Sequence, residues 1–195
     1  ERALLAAYPA GLPLHVLIES PGAVHRAFEI AAHPRVQSLS FGLMDFVSAH
    51  AGAIPADGMG AVGQFSHPLL VRAKLEIASA AHAAGKVPSH CVVTEFKDET
   101  AMRSAARRAA REFGYTRMWS IHPSQIRPIL EAFAPDERQV DEATRLLLAA
   151  ERAEWAPISF DGSLHDRASY RHFWQVLERA HATGRVLPAE AARWF

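Results

Sequence analysis

The 195-residue sequence holds a single cysteine, Cys91, so it can build neither an internal disulfide framework nor a cysteine-rich zinc module. It has no apolar run near the ~20 residues that a membrane-spanning helix needs. It has no excess of charge of either sign, because Lys plus Arg and Asp plus Glu each total 21. Nor do the basic residues gather into a dense stripe, which removes the electrostatic footprint of a nucleic-acid surface. No secretory signal pattern opens the chain, which begins at Glu1 with an amphipathic stretch. No initiator Met stands there either, as expected of a processed chain or a piece of a longer one. Together these absences predict a cytoplasmic protein with no membrane and no nucleic-acid partner.

What is present suits one folded domain. Hydrophobic residues make up 49% and charged residues 22%, enough apolar surface for a core and too few charges for disorder. Four short apolar runs read as buried strands: Leu14–Ile18, Val36–Phe41, 90–96 and 118–121. Helical spacing fills the gaps over 21–32, 68–84 and 99–113, the last two closed by Gly85 and Gly114. Strands alternating with helices imply a parallel α/β sheet or barrel, since parallel neighbours need crossover connections. Beyond Ile121 the pattern is helical alone, over 124–133, 136–155 and 167–182, with a short helix expected within 187–195. The polar, turn-rich stretch 157–166 reads as strand-free. The expected organisation is therefore a partial (β/α) barrel over 1–133 and a helical C-terminal extension over 134–195.

The residues that follow the strands carry the chemical signal. Run one ends in Glu19, run two leads to Gly42 and Asp45, run three to Glu95 and run four to His122. In (β/α) barrels, side chains at the carboxyl ends of strands line one shared mouth. Glu19 and Asp45 lie about one βα unit apart and are expected to be neighbours there. Two converging carboxylates suit Mg²⁺, a hard cation that takes one or two protein oxygens and keeps several waters. Paired acids at strand ends also meet helix N-termini or arginines, and spacing alone leaves both readings open.

Longer words narrow the choice. His15-Val-Leu-Ile-Glu19-Ser-Pro-Gly22, Leu39-Ser-Phe-Gly42-Leu-Met-Asp45 and Ile121-His-Pro-Ser-Gln125 occur in order and at spacings that resemble the HpcH/HpaI aldolase and citrate lyase β-subunit superfamily, CoA-ester branch. The resemblance runs from about residue 14 to residue 182. It implies the C-terminal half of a TIM (β/α)8 barrel, with Mg²⁺ held by Glu19 and Asp45. It also implies a 2-oxo acid gripped through backbone N–H groups of Gly42, Leu43 and Met44. Gly162-Ser-Leu-His-Asp166 matches a late loop whose aspartate works as acid or base in a neighbouring subunit's site, which implicates Asp166 and a homo-oligomer, a trimer or multiple of it. Read from position alone, Asp166 is equally a helix N-cap. The word Leu164-His-Asp-Arg-Ala-Ser-Tyr-Arg171 is also similar to a subgroup that includes citramalyl-CoA lyases.

Two features depart from that family's pattern. Its Arg-x-Asn word, from an early strand, has no counterpart before Glu19. Its Gly-Lys before Ile-His-Pro is Arg117-Met118 here. The implied activity is Mg²⁺-dependent cleavage of a short 3-hydroxyacyl-CoA (citramalyl-CoA, malyl-CoA or citryl-CoA type) to a 2-oxo acid and acetyl-CoA. The alternatives are an Mg²⁺-dependent aldolase on free hydroxy-oxo acids without CoA, and a non-catalytic remnant of the fold.

Other motifs carry less. Gly58-Met-Gly60-Ala-Val-Gly63 matches a dinucleotide fingerprint but lacks the preceding strand and following helix that the motif requires, and is expected to be a mobile loop over the barrel mouth. The 11 histidines show no zinc-ligand spacing. Cys91 reads as a small core residue and His122 as a structural residue at a strand end.

Overall fold

The computed structural model describes residues 11–195, so the amphipathic opening stretch lies outside the described residues. The chain divides into two compact units with the break after Phe133.

The first unit is built on one four-stranded parallel sheet in the order β1 (Leu14–Ile18), β2 (Val36–Phe41), β3 (Val87–His90) and β4 (Arg117–Met118). Helices α1 (Pro21–His25) and α2 (Ala27–Ala31) carry the first crossover, α3 (Leu43–Ser48) and α4 (Pro68–Ala83) the second, and α5 (Glu99–Glu112) the third. A 3-10 turn, Pro123–Gln125, and α6 (Ile126–Phe133) follow β4. The ends of these helices obey local chemistry. Ser20 caps α1 by accepting from the Ala23 N–H, Asp98 caps α5 by accepting from the Ala101 N–H, and Gly85 and Gly114 turn the chain away at positive φ.

Side chains alternate across the sheet. Leu39 and Phe41 face the helices and join Ile77, Leu70, Ala73 and Ala80 in a continuous apolar core. Ser38 and Ser40 face the other way, and the register Ser40↔Ser89↔Arg117 keeps that face polar across β3 and β4. On it the His15 ring meets Ser38 Oγ at 2.7 Å, and Trp119 Nε1 donates to Ser40 Oγ at 2.9 Å.

The second unit pairs α7 (Glu137–Arg152) with α8 (Arg167–Ala182) around Leu146, Leu147 and Leu177, with a short α9 (Ala189–Ala192) closing one side. Between α7 and α8 stands an antiparallel hairpin, β5 (Ile158–Phe160) and β6 (Ser163–His165), which corrects the strand-free reading of 157–166. Its cause is the two-residue turn Asp161-Gly162, with φ of 47° and 79°. Both central residues are left-handed, as the tight hairpin turn that matches strand twist demands.

Three other boundaries differ from the sequence reading. The helix read over 21–32 is broken at Arg26, whose φ of −102° and ψ of 16° leave the helical region. The third strand lies at Val87–His90 rather than 90–96, and the fourth covers only Arg117–Met118. Apolarity over 90–96 records burial of Cys91 and Val93, whereas the ladder stops at His90 because its partner β4 ends at Met118. Residues 56–65, read as bare loop, hold two 3-10 turns, Ala56–Met59 and Gly63–Phe65. Among the described residues no helix is long and apolar enough to cross a membrane.

A Cβ on Gly63 would lie 2.0 Å from the Asp57 carbonyl oxygen, whereas one on Gly22, within α1, would meet nothing within 4 Å. Gly63→Ala is therefore expected to lower the urea-unfolding midpoint clearly. Gly22→Ala should leave it unchanged or raise stability by up to about 1 kcal/mol through helix propensity. Equal effects in the two variants would contradict the packing described.

Candidate active site

The site starts from one rung of the sheet. Ile18 and Phe41 are paired at the ends of β1 and β2, and the Gly42 N–H continues the ladder by donating to the Ile18 carbonyl at 2.9 Å. Glu19 and Gly42, the next residues on each strand, are thereby held side by side. A Cβ built on Gly42 would lie 2.6 Å from Glu19 Cβ and 2.8 Å from Glu19 Oε2. The glutamate side chain occupies the space that any larger residue would take. Only glycine fits beside it.

Gly42 is also the N-cap of α3, which places Asp45 in the first turn of that helix. Glu19, Gly42, Leu43, Met44 and Asp45 thus converge on the carboxyl ends of β1 and β2. Glu19 is half-buried and Asp45 exposed, and neither has a hydrogen-bonding or ion-pair partner among the described residues. Carboxylate oxygens are the ligand type that a hard divalent cation such as Mg²⁺ prefers. Among the described residues no three His, Cys, Asp or Glu side chains cluster as metal ligands.

The Gly42 N–H donates to the Ile18 carbonyl at 2.9 Å, and the absence of a side chain leaves room for Glu19. The N–H groups of Leu43 and Met44, at the start of α3, lack intrahelical acceptors by helix geometry and remain available. Leu43 itself is buried and Met44 exposed.

The remaining strand-end residues have structural partners. Glu95 Oε1 accepts from the Ala61 N–H at 2.8 Å and so ties the 56–65 segment to the exit of β3. His122 caps the Pro123–Gln125 turn by accepting from the Ser124 N–H, and its ring lies 5.1 Å from that of Phe96. Buried Gln125 accepts from the Ile121 N–H at 2.9 Å and donates to the Val93 carbonyl at 2.7 Å, joining the exits of β3 and β4. The Ile-His-Pro-Ser-Gln word is thus a self-capped turn. The glycine-rich word lacks a preceding strand and the geometry of a dinucleotide site; its Gly63 is required by the Asp57 carbonyl.

Asp166 belongs to the second unit. It is exposed and caps α8: Oδ1 accepts from the Ala168 N–H at 2.9 Å, and its own N–H donates to Ser169 Oγ at 3.0 Å. Buried Tyr170 fixes the segment around it, its hydroxyl lying 2.6 Å from the Ala156 carbonyl and 3.2 Å from that of His165. Sequence reasoning missed this tyrosine, the Trp119–Ser40 bond and a buried lysine, Lys74, which sits on the apolar face of α4 beside Ala73 and Ile77.

Parallel strands joined by helices, with acidic side chains gathered at the strands' carboxyl ends, define an α/β protein of the barrel class whose chemistry belongs at that end. The sequence pattern of the HpcH/HpaI aldolase/citrate lyase family matches residues 6–123, and the chain belongs to that family. It is 56% identical to a citrate lyase from Burkholderia xenovorans LB400, with a TM-score of 0.83, covering 100% of this chain and 60% of that one. The CitE protein of Mycobacterium tuberculosis, solved with magnesium, acetoacetate and coenzyme A, is 27% identical, with a TM-score of 0.71 over 88% of this chain and 62% of that one. An L-malyl-CoA/beta-methylmalyl-CoA lyase from Cereibacter sphaeroides is 30% identical over 184 residues, 87% of this chain and 57% of the relative. The chain therefore spans little more than half the length of the relatives it matches. Its parallel sheet corresponds to part of their TIM-barrel-like fold.

Gly42→Ala should destabilise the first unit by forcing Glu19 aside. Adding Glu19→Gly, which removes both contacting atoms, should recover much of that loss. Thermal unfolding of the two single variants and the double variant measures the coupling; strictly additive effects would show that the two residues do not press on each other.

Proposed function

We propose that the protein is a Mg²⁺-dependent carbon–carbon lyase of the cytoplasm that cleaves a short 3-hydroxyacyl-CoA of the citramalyl-CoA, malyl-CoA or citryl-CoA type to a 2-oxo acid and acetyl-CoA. The observation that carries this reading is Glu19 set beside Gly42 at the end of β1 with Asp45 in the first turn of α3, neither carboxylate bonded among the described residues. The CoA-ester lyases among its relatives and the magnesium in the CitE complex support it.

Glu19 and Asp45 would hold the cation through their carboxylate oxygens. When bound, Mg²⁺ supplies Lewis-acid stabilisation of negative charge on the substrate's oxygen. The Leu43 and Met44 N–H groups are oriented to bind the carboxylate of the oxo-acid half. In the cleavage direction, the bond between the hydroxyl-bearing carbon and the carbon next to the thioester breaks. The hydroxyl group gives up its proton to a general base as its carbon becomes the keto carbon, the electrons of the broken bond pass to the acyl-CoA fragment, and that fragment takes up a proton at its new terminal carbon. Asp166 is the proposed donor of that proton, delivered to the site of a neighbouring subunit. In this reading 134–195 serves as the oligomerisation arm of a trimer or a multiple of it.

One observation favours the competing aldolase reading, in which free hydroxy-oxo acids react without CoA: Asp166 Oδ1 is already engaged as a helix cap. Asp166→Asn separates the two, because asparagine keeps the cap but cannot transfer the proton. In the complete enzyme this variant should retain its thermal midpoint while kcat on CoA substrates falls by about 10²–10⁴-fold. Unchanged kcat would remove Asp166 from the mechanism. Separately, calorimetric titration with Mg²⁺ and a 2-oxo acid should show metal-dependent binding that Glu19→Gln with Asp45→Asn abolishes. Binding that survives both changes would refute the metal assignment.

A further inference from the structure

On the helix side of the sheet, away from Ser40 and Trp119, α4 sends Lys74 into a closed polar cluster. Lys74, His90 and Gln64 are 0% exposed and Cys91 1%. Lys74 Nζ lies 2.9 Å from Gln64 Oε1, 2.5 Å from His90 Nε2 and 3.2 Å from Cys91 Sγ. The rings of Phe65 and Phe41 cover it, their centroids 4.5 and 5.5 Å away. The His90 Nδ1–H points to the Cys91 carbonyl at 3.2 Å, which leaves Nε2 to accept from the lysine. The Cys91 thiol also reaches Gln64 Oε1, at 3.0 Å. Among the described residues no carboxylate touches this lysine.

A buried ammonium without an acid is costly. Burial pushes Lys74 below the usual lysine range, His90 well below the usual histidine range, and the Cys91 thiol up. Lys74 Nζ, at 3.2 Å, lies closer to Cys91 Sγ than either ring nitrogen of His90, at 3.7 and 3.9 Å. Cys91 is the only cysteine in the chain, and the closed packing around it bars a bulky thiol partner.

We propose that Lys74 Nζ and Cys91 Sγ form a modification site, closing under peroxide into a reversible covalent N–O–S cross-link. One peroxide transfers an oxygen to Sγ, giving the sulfenic acid and one water. A second peroxide then takes two electrons and two protons as the sulfenic oxygen joins Nζ. The S–O–H and one N–H bond break, the N–O bond forms, and the peroxide leaves as two waters. The 3.2 Å hydrogen-bond separation of nitrogen and sulfur is longer than a bent N–O–S bridge, so closure draws Nζ toward Sγ on the flexible lysine stem. The link would staple α4 to the exit of β3, next to Gln64, and does not depend on the proposed lyase activity.

The test is hydrogen peroxide treatment of the native protein, followed by intact-mass measurement and peptide mapping without reduction. The expected result is a species gaining about 14 Da, one oxygen added and two hydrogens lost, with Lys74 and Cys91 in a single linked peptide pair. Dithiothreitol should reverse it, and it should be missing from Cys91→Ser and Lys74→Arg proteins that retain native circular dichroism. Peptide mapping of the native protein identifies both residues even if a variant fails to fold. Cys91 recovered as a free thiol, or only as an unlinked sulfenic, sulfinic or sulfonic acid, would overturn the proposal.

Discussion

The rung that joins Ile18 to Phe41, continued by the Gly42 N–H to the Ile18 carbonyl, is the constraint on which the site depends. A parallel pair in this register brings the next residues of both strands abreast, so Glu19 must share space with whatever follows Phe41. Glycine there removes the clash, and its position as N-cap starts α3 at once. Asp45 then falls in the first helical turn. One backbone hydrogen bond and one missing side chain thus place two carboxylates 26 positions apart in sequence at neighbouring strand ends.

The two faces of the sheet handle polarity differently. On one, Ser38, Ser40 and Ser89 alternate with the core residues, and His15 and Trp119 reach the first two serines across the strands. The Ser38 and Ser40 hydroxyls find partners in this way, whereas the buried Ser89 Oγ has none among the described residues. On the other, an apolar helix–sheet layer encloses Lys74, His90, Cys91 and Gln64, whose polar atoms satisfy one another. That cluster holds the Gly63–Phe65 turn against the exit of β3, while Glu95 holds the same segment at Ala61. A stretch rich in glycine is therefore fastened at two points and packs against the core through Phe65.

The legible parts of the fold were those with strong local signals. The strands Leu14–Ile18 and Val36–Phe41 and the helix Arg167–Ala182 stand where their patterns predict, because apolar patterning and the flanking turn or capping residues agree there. The hairpin around Asp161-Gly162 escaped notice because its strands are short and polar, although the Asp-Gly pair is a hairpin signal in its own right. The third strand was misplaced because apolarity marks burial, and burial continues through Val93 after pairing has ended. The site followed the same division. Glu19, Gly42 and Asp45 stood out by their words and by their place after strands, whereas the commitment of the Gly42 N–H to Ile18 depends on register.

Taken alone, the sequence determined the alternation of strands and helices, the acids at the strand ends and the family to which the chain belongs, because these reside in periodicity and in ordered words. Tertiary structure decided which backbone donors remain free, that Asp166 caps a helix in a separate unit, and that Lys74 lies sealed beside Cys91. The lysine and cysteine stand 17 positions apart, a spacing that carries no periodic signal, and only the packing of a helix onto a sheet brings them together.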